Sequence, residues 1–349
     1  MLELDHKFIA AHHQPAVLID VMLAISGVEN PDRECHQLLA GTGLFLGDIV
    51  QGEAEISPRQ FNKLLANSRR LYPHDDLSFL LGKRLLPGPF PLYSNLIRQS
   101  RNLRQLLTNL ARYYRVFSPL LYPHIEESQR HCYIRWSPAF AAPNDCQFMV
   151  EMMQTALATL TQQLSERAYP WSFHFRHSAP PYMEQYWINL NSEDIQFSSC
   201  ADMMVIAKEF LDQDFPVYSE TSYQIALHAI NKSETLAPDA NGAQPFLTQL
   251  QHYIQAQLTQ QLTLESAAEY FQCSASTFKR KLSKHKTSFQ QQLDSIRHQQ
   301  ATKLIAEQGW NNQQVAEYLN FSDSKNFRRA FKRWSGITPA GVRLRQLKT

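Results

Sequence analysis

Between Asn102 and Phe117, Leu103, Leu106, Leu107, Leu110, Tyr113 and Tyr114 recur at the spacing of one helical face. The same period predicts helices over 15–26, stopped by Gly27, over 58–71, over 75–86 before Pro87-Gly88, over 145–166 and over 219–230. Ser57-Pro58 supplies a cap and a first-turn proline for the second of these. Alternation predicts strands at His131–Trp136 and at Trp171–His177, the latter with Trp171, Phe173 and Phe175 on one side, and a short strand over 195–197. This mixed body ends at residues 231–244, NKSETLAPDANGAQ, which hold Pro238, Gly242 and almost no large apolar side chain, the composition of a flexible linker. Beyond it strand signals vanish, and seven helices of roughly 8 to 18 residues are predicted. The expected fold class is an α/β domain over 1–230 followed by an all-α domain over 245–349.

The all-α part contains a repeat. Ala268-Glu269-Tyr270-Phe271-Gln272-Cys273-Ser274-Ala275-Ser276 aligns with Ala316-Glu317-Tyr318-Leu319-Asn320-Phe321-Ser322-Asp323-Ser324 at an offset of 48 residues. After one inserted residue, Phe278-Lys279-Arg280-Lys281-Leu282 aligns with Phe327-Arg328-Arg329-Ala330-Phe331 at 49. Each copy has the parts of a helix-turn-helix. A small residue on the first helix, Ala268 or Ala316, lets the second helix cross closely. A serine, Ser274 or Ser276 in one copy and Ser322 or Ser324 in the other, caps the second helix. Phe278 and Leu282, or Phe327 and Phe331, bury one side at i and i+4, and the other side carries Lys279, Arg280 and Lys284, or Lys325, Arg328, Arg329 and Lys332. Such a helix fits the major groove with its first residues toward base edges. Residues 289–307, with Leu293, Ile296, Leu304 and Ile305 near helical spacing, form a connecting helix. A rigid connector would hold two such helices about 34 Å apart, on successive major grooves of one DNA face.

Charge agrees with that reading. The whole chain is nearly balanced, with 34 Lys+Arg and 32 Asp+Glu, but residues 245–349 hold 15 of the basic and only 6 of the acidic residues. A basic domain on an acidic body is the electrostatic footprint of a nucleic-acid binder, although any lone Lys or Arg is as often a solvated surface charge. Cys35, Cys132, Cys146, Cys200 and Cys273 are scattered and form no CxxC pair, which supports neither zinc nor a disulfide framework. No HExxH, GxSxG, GxGxxG or Walker sequence occurs, so no enzyme, cofactor or metal is expected. His174 and His177 would point to opposite faces of the predicted strand. No uninterrupted apolar run reaches the roughly 18 residues of a membrane span, and the N-terminus lacks a basic head before an apolar stretch, so the expected compartment is the cytoplasm.

Residues 246–345 resemble the DNA-binding domain of the AraC/XylS family of bacterial regulators. The resemblance rests on Val315-Ala316-Glu317-Tyr318-Leu319-Asn320-Phe321-Ser322-Asp323, then on Asn326-Phe327-Arg328-Arg329-Ala330-Phe331-Lys332-Arg333-Trp334-Ser335-Gly336-Ile337-Thr338-Pro339 with its closing Gly-x-Thr-Pro, and less regularly on Ser274 to Phe289. It implies a sequence-specific transcription regulator, an activator, that binds double-stranded promoter DNA as a homodimer and contacts RNA polymerase. The family's base-contacting positions fall on Ser276 and Arg280 in the first copy and on Ser324, Lys325 and Arg329 in the second, with Thr277, Lys279, Asn326 and Arg328 close by. Ser274, Lys284, Lys332 and Arg333 are placed for phosphates. Asn320 stands where the family has glycine, and asparagine tolerates the left-handed backbone. Lys286 also replaces a common glycine, and lysine would be strained there.

The body resembles the α/β, arabinose-binding-like regulatory domain of the AraC subgroup that includes ornithine- and virulence-linked regulators, not the cupin type. Arg101-Asn102-Leu103-Arg104-Gln105-Leu106-Leu107 through Tyr113-Tyr114, and Phe173-His174-Phe175-Arg176-His177-Ser178-Ala179-Pro180-Pro181-Tyr182, carry this likeness. It implies sensing or dimerisation rather than catalysis. Aromatic richness at Phe90, Tyr93, Tyr113, Tyr114, Phe117, Trp136, Phe140, Phe148 and Trp171 suits a pocket for a small-molecule effector, or simply a core. Tyr93, Arg98, Arg135 and Trp136 are the effector-binding candidates, with Arg98, Arg135 and Arg176 available to an anionic head group. Two alternatives stay open: constitutive DNA binding with a purely dimerising body, and fusion to a cysteine-dependent alkyl-transfer module, suggested by Cys35-His36 and His131-Cys132.

Overall fold

Side-chain caps fix the start of two helices of the body, at Ser57 and Asn102. In the computed structural model the described residues are 19–20, 22, 31–51, 56–88, 91–114, 121–138, 146–199, 201–232, 246–285, 287–336 and 338–346. The chain divides into two units, residues 1–197 with 202–243 and residues 244–349 with 198–201. In the first unit α1 (Pro31–Leu39) and α2 (Leu46–Gln51) precede α3 (Pro58–Leu71). The Ser57 hydroxyl accepts the Gln60 N–H at 3.3 Å, and the Gln60 side chain accepts the Ser57 N–H at 3.0 Å, a capping box at the predicted start. α4 (Leu77–Leu85), α5 (Pro91–Arg98) and α6 (Leu103–Arg112) follow. The Asn102 side chain caps α6 by accepting the Gln105 N–H at 3.0 Å. The predicted helix over 102–117 therefore begins as expected but ends near Arg112, and its last three positions lie outside the described residues.

The strands β1 (Leu121–Glu127), β2 (His131–Pro138), β3 (Ser172–His174), β4 (Ile195–Gln196) and β5 (Met203–Ala207) form one sheet in the order β1-β2-β5-β3-β4. Only the β3–β4 pair is parallel. Alternation along β2 puts Cys132, Ile134 and Trp136 on one side, where they meet Ile206, Met204 and Phe173 in the core. The predicted strand over Trp171–His177 is shorter than expected. Past Phe175 the Arg176 N–H goes to the Asp202 carboxylate at 2.8 Å instead of to a strand, which turns the chain out of the sheet before His177.

The remaining helices of this unit are α7 (Cys146–Ser165), α8 (Met183–Leu190) and α9 (Glu220–Lys232). α7 has buried residues around its whole circumference, as a core helix must. It crosses α4 so closely that a Cβ on Gly82 would sit 2.5 Å from the Met152 carbonyl oxygen and 2.7 Å from the Thr155 Cβ. Of the predicted helix over 15–26, Ile19, Asp20 and Met22 are helical and the rest lies outside the described residues. Asn231 and Lys232 of the predicted linker still belong to α9, and residues 233–244 lie outside the described set.

The second unit has seven helices among the described residues: α10 (Phe246–Ala256), α11 (Leu264–Tyr270), α12 (Ala275–Lys284), α13 (Phe289–Gln308), α14 (Asn312–Tyr318), α15 (Ser324–Ser335) and α16 (Pro339–Gln346). Ser288 caps the start of α13, and Gly309, at φ +67°, ends it. At about 100° per residue, Phe289, Leu293, Ile296 and Leu304 fall on one side of α13 and His298, Ala301 and Ile305 on the opposite side. All seven are buried. No helix among the described residues is long and apolar enough to cross a membrane.

Two outcomes follow from the packing of the first unit. Gly82→Ala forces α4 and α7 apart and is expected to cost about 1–3 kcal/mol, read as a lowered Tm in thermal melts followed by near-UV circular dichroism. Burial lowers the His174 pKa to about 4. The unfolded imidazole takes up its proton near pH 6.5 while the folded one resists, so stability should fall as pH drops from about 6.5 to about 4. His174→Gln should flatten that part of a denaturant-midpoint-versus-pH curve, and an unchanged slope would refute the assignment.

Candidate nucleic-acid interface

Two helix-turn-helix units are built by the same local rules. In the first, Thr263 caps α11 by accepting the Ser266 N–H at 3.1 Å. The chain turns through Gln272 at φ +53°, and the Cys273 N–H returns to the Ala268 carbonyl at 3.0 Å. In the second, Asn311 caps α14 by accepting the Gln313 and Gln314 N–H groups at 2.9 and 3.0 Å. The chain turns through Asn320 at φ +58°, and the Phe321 N–H returns to the Ala316 carbonyl at 2.8 Å. The left-handed position expected at Asn320 is present. Its partner in the first unit is Gln272, a residue type that gave no sign of it. Lys286 lies outside the described residues. Ala268 and Ala316 are both buried, as a close crossing requires.

The caps of the second helices differ from expectation in one case. Ser274 caps α12, accepting the Thr277 N–H at 3.2 Å. For α15 neither Ser322 nor Ser324 does so: Asp323 accepts the Asn326 N–H at 2.6 Å. The inserted residue explains this. The second turn runs through Asn320, Phe321 and Ser322 where the first has only Gln272 and Cys273, so the offset changes inside the turn and Asp323 becomes the counterpart of Ser274. The counterpart of Ser276 is then Lys325, and that of Ala275 is Ser324. An aspartate at this place also meets the positive end of the helix dipole.

Burial of Phe278 and Leu282 in α12, and of Phe327, Ala330 and Phe331 in α15, fixes what faces outward. On α12 the outer row is Ser276, Arg280 and Ser283, with Lys279 and Lys284 flanking it; all five are exposed, and Thr277 is half-buried. On α15 it is Lys325, Arg329 and Lys332, with Arg328 beside it; all four are exposed, and Ser324 is half-buried. The Asn326 amide is exposed but donates to the Ser322 hydroxyl at 2.8 Å and to Asp323 at 3.1 Å, so it braces the turn. Two residues expected at phosphates have other partners: Ser274 is the cap, and Arg333 pairs with Asp294 of α13 at 3.0 Å.

α13 clamps the second unit at three positions within five residues. Asp294 holds Arg333, the Arg297 guanidinium lies 5.1 Å over the Phe321 ring, and His298 packs edge-on to Phe331 at 5.0 Å and beside Trp334 at 5.9 Å. Burial lowers the Arg297 pKa, with Asp294 opposing. The first unit is held through α10, whose Phe246 meets Phe271 and Phe278 at 5.4 and 5.5 Å.

The effector candidates of the body do not form one cluster. Tyr93 is a core residue, edge-on to Tyr113 at 5.2 Å. Arg98 is exposed in the last turn of α5. Arg135 pairs with Glu126 across β1–β2 at 2.9 Å, and Trp136, its neighbour on β2, faces the other side of the sheet. Burial pushes the Cys132 thiol up to about 12 and the Cys146 thiol up to about 11, the reverse of what a nucleophilic thiolate needs. His131 and Cys132 lie on opposite faces of β2. Among the described residues no group of three His, Cys, Asp or Glu side chains is placed to hold a metal ion.

Residues 33–215 match the family described as the arabinose-binding domain of AraC transcription regulator, N-terminal. Residues 267–345 match a helix-turn-helix domain family. The ornithine utilization regulator of Pseudomonas aeruginosa is 22% identical over 284 residues, covering 81% of this chain and 83% of its own length. The DNA-binding dual transcriptional regulator Rns of Escherichia coli is 28% identical over 94 residues, 27% of this chain and 36% of its own length. The crystal structure of the transcriptional regulator CdpR from Pseudomonas aeruginosa is 14% identical with a TM-score of 0.44, covering 94% of this chain and 96% of that one.

The cap assignment is directly testable. Asp323→Ala should destabilise the second unit by about 1 kcal/mol, while Ser322→Ala and Ser324→Ala should each change its urea midpoint little. Equal losses in all three variants would place the cap elsewhere.

Proposed function

Because the chain belongs to the AraC family of transcription regulators, and so is a DNA-binding transcription regulator, we propose that the outer rows of α12 and α15 are what reads the DNA. The observation that carries this is the pair of exposed rows, Ser276–Arg280 and Lys325–Arg329, set at equivalent places on two similarly built helices tied to one connector. Arginine in such a row pairs with guanine through two hydrogen bonds, serine and lysine reach other base edges, and Lys279, Lys284, Arg328 and Lys332 suit phosphates. Thr277 and Asn326 act mainly through the backbone geometry of the turns.

The two rows are unequal. Lys325, Arg329 and Lys332 carry three charges where Ser276, Arg280 and Ser283 carry one. α15 therefore contributes more of the salt-dependent affinity and α12 more neutral readout.

The regulator is an effector-responsive activator that works in the cytoplasm as a homodimer, on repeated or palindromic half-sites of double-stranded promoter DNA, and contacts RNA polymerase. The match to a ligand-binding regulatory domain and the name of the ornithine utilization regulator support a response to a small metabolite. The raised thiol pKa values at Cys132 and Cys146 speak against a cysteine-transfer enzyme.

Arg280→Ala and Arg329→Ala should each weaken binding to a selected site by about 1–3 kcal/mol and relax base preference at one position, whereas Lys332→Ala should lower affinity evenly and reduce the salt slope by about 1. Binding selections on randomised duplexes, with titrations at several salt concentrations, measure both. Unchanged base preference in both arginine variants would sink the assignment.

A further inference from the structure

α7 has one charged residue among its twenty, Glu151, and that residue is 3% exposed. Three neutral donors converge on its carboxylate. The Ser78 hydroxyl donates at 2.6 Å, the Gln147 amide at 2.8 Å, and the Tyr186 hydroxyl also donates. The imidazole of His177 reaches the carboxylate only through the Tyr186 hydroxyl, 3.2 Å away. No ion pair to Glu151 is formed among the described residues. Three hydrogen bonds satisfy the oxygens but bring no positive charge, and a buried carboxylate without a counter-ion is costly.

Glu151 does not lie in closed core. It forms part of the wall of a pocket of about 660 Å³, together with Tyr72, Ser78, Gln147, Phe148 and Tyr182. Burial holds the Tyr182 phenol up to about 12, with the Glu151 charge adding to the effect, so that wall stays a neutral aromatic surface. Carboxylate plus aromatic faces is the chemistry that holds an organic ammonium group. At the mouth stand the exposed residues Arg69, Arg70, His74 and Asp75, and the Arg69 guanidinium lies 5.5 Å over the Phe148 ring. Arg69 and Arg70 outnumber Asp75 at the rim, and that net positive charge suits a carboxylate.

We propose that this pocket is a binding site for a small amino-carboxylate, its ammonium group paired with Glu151 and its carboxylate held at the rim by Arg70. The proposal rests on the effector-responsive reading above and gives it a location and a ligand class. It moves the effector site away from Tyr93, Arg98, Arg135 and Trp136, none of which contributes to this wall. The Glu151 position is specific because a neutral or anionic head group would leave the carboxylate uncompensated.

The test is calorimetric titration of the full chain with γ-aminobutyrate, butylamine and butyrate. Binding should rank in that order, with butyrate silent. Glu151→Gln, which keeps the volume and removes the charge, should weaken γ-aminobutyrate and butylamine at least about tenfold, the loss of one charge-assisted contact. Arg70→Gln lies on an exposed helix end and folds regardless of the state of Glu151. It should weaken γ-aminobutyrate severalfold and leave butylamine unchanged. Butyrate binding as tightly as the amines, equal amine affinity in Glu151→Gln, or no amine binding at millimolar concentration would overturn the proposal. Promoter titrations of the same samples separate it from the wider reading. If γ-aminobutyrate binds through Glu151 without changing promoter affinity, the site stands and the effector reading fails. If another metabolite changes promoter affinity equally in wild type and Glu151→Gln, the effector reading stands and the site fails.

Discussion

α13 packs Phe289, Leu293, Ile296 and Leu304 on one side and His298, Ala301 and Ile305 on the other, and the geometry of the DNA-reading unit depends on that double burial. Each large apolar side chain taken from water contributes roughly 1.5–3 kcal/mol. The Asp294–Arg333 pair, with the Arg333 side chain 67% exposed, is worth at most about 1 kcal/mol. Packing of His298 on Phe331 and Trp334 therefore docks α15 on the connector, and the ion pair adds little to it. A helix with one apolar stripe could hold one recognition helix. Two opposed faces let one rigid rod support both sides of the domain.

The two turns show how little sequence a helix-turn-helix needs and where it must be specific. Gln272 and Asn320 both sit in the left-handed region, where a Cβ costs roughly 1 kcal/mol or more. Each unit recovers that cost through a backbone bond from the next residue back to the buried alanine, Ala268 or Ala316, and through burial of Phe278 or Phe327 four residues after the cap. The alanine is needed twice, as a small side chain at the crossing and as the acceptor that closes the turn. Because the second turn is one residue longer, its cap falls on Asp323, whose carboxylate also suits the helix dipole.

Much of this was legible from residue pattern alone. The repeat, the basic outer rows and the connector follow from apolar spacing and charge, because in a small helical unit the same side chains fix both the core and the exposed face. The cap of α15 was misread because serines recur at a constant offset of 48, whereas the structural counterparts shift to 49 within the turn. The shift was visible in the Phe278–Phe327 alignment, and carrying it back by one turn would have selected Asp323. Gln272 gave no signal, since its backbone is set by closure of the turn and not by its own preference. In the body, β1 was missed because Pro123 interrupts LYPHIEE, and β5 because five residues with both faces at least partly covered do not alternate. Aromatic and basic character does not by itself mark an effector site, because a packed core such as that around Tyr93 and a cross-strand ion pair such as Arg135–Glu126 show it equally well.

Glu151 illustrates a different kind of legibility. A lone acid within CQFMVEMMQTALATLTQQLS stands out against an otherwise uncharged segment, yet periodicity gives no warning, because a helix buried on all sides has no polar stripe on which the acid could be misplaced. The close crossing at Gly82 holds α4 against the same stretch of α7, and α4 also supplies Ser78, one of the three donors to the carboxylate. Tight helix packing and the orientation of the charge are thus one feature. A side chain larger than glycine at position 82 would push Ser78 away from Glu151 as it pushed the helices apart. The carboxylate would then lose a donor in a place where water cannot freely replace it. The helix crossing that stabilises the body is also what holds the Glu151 carboxylate in place at the wall of an open pocket.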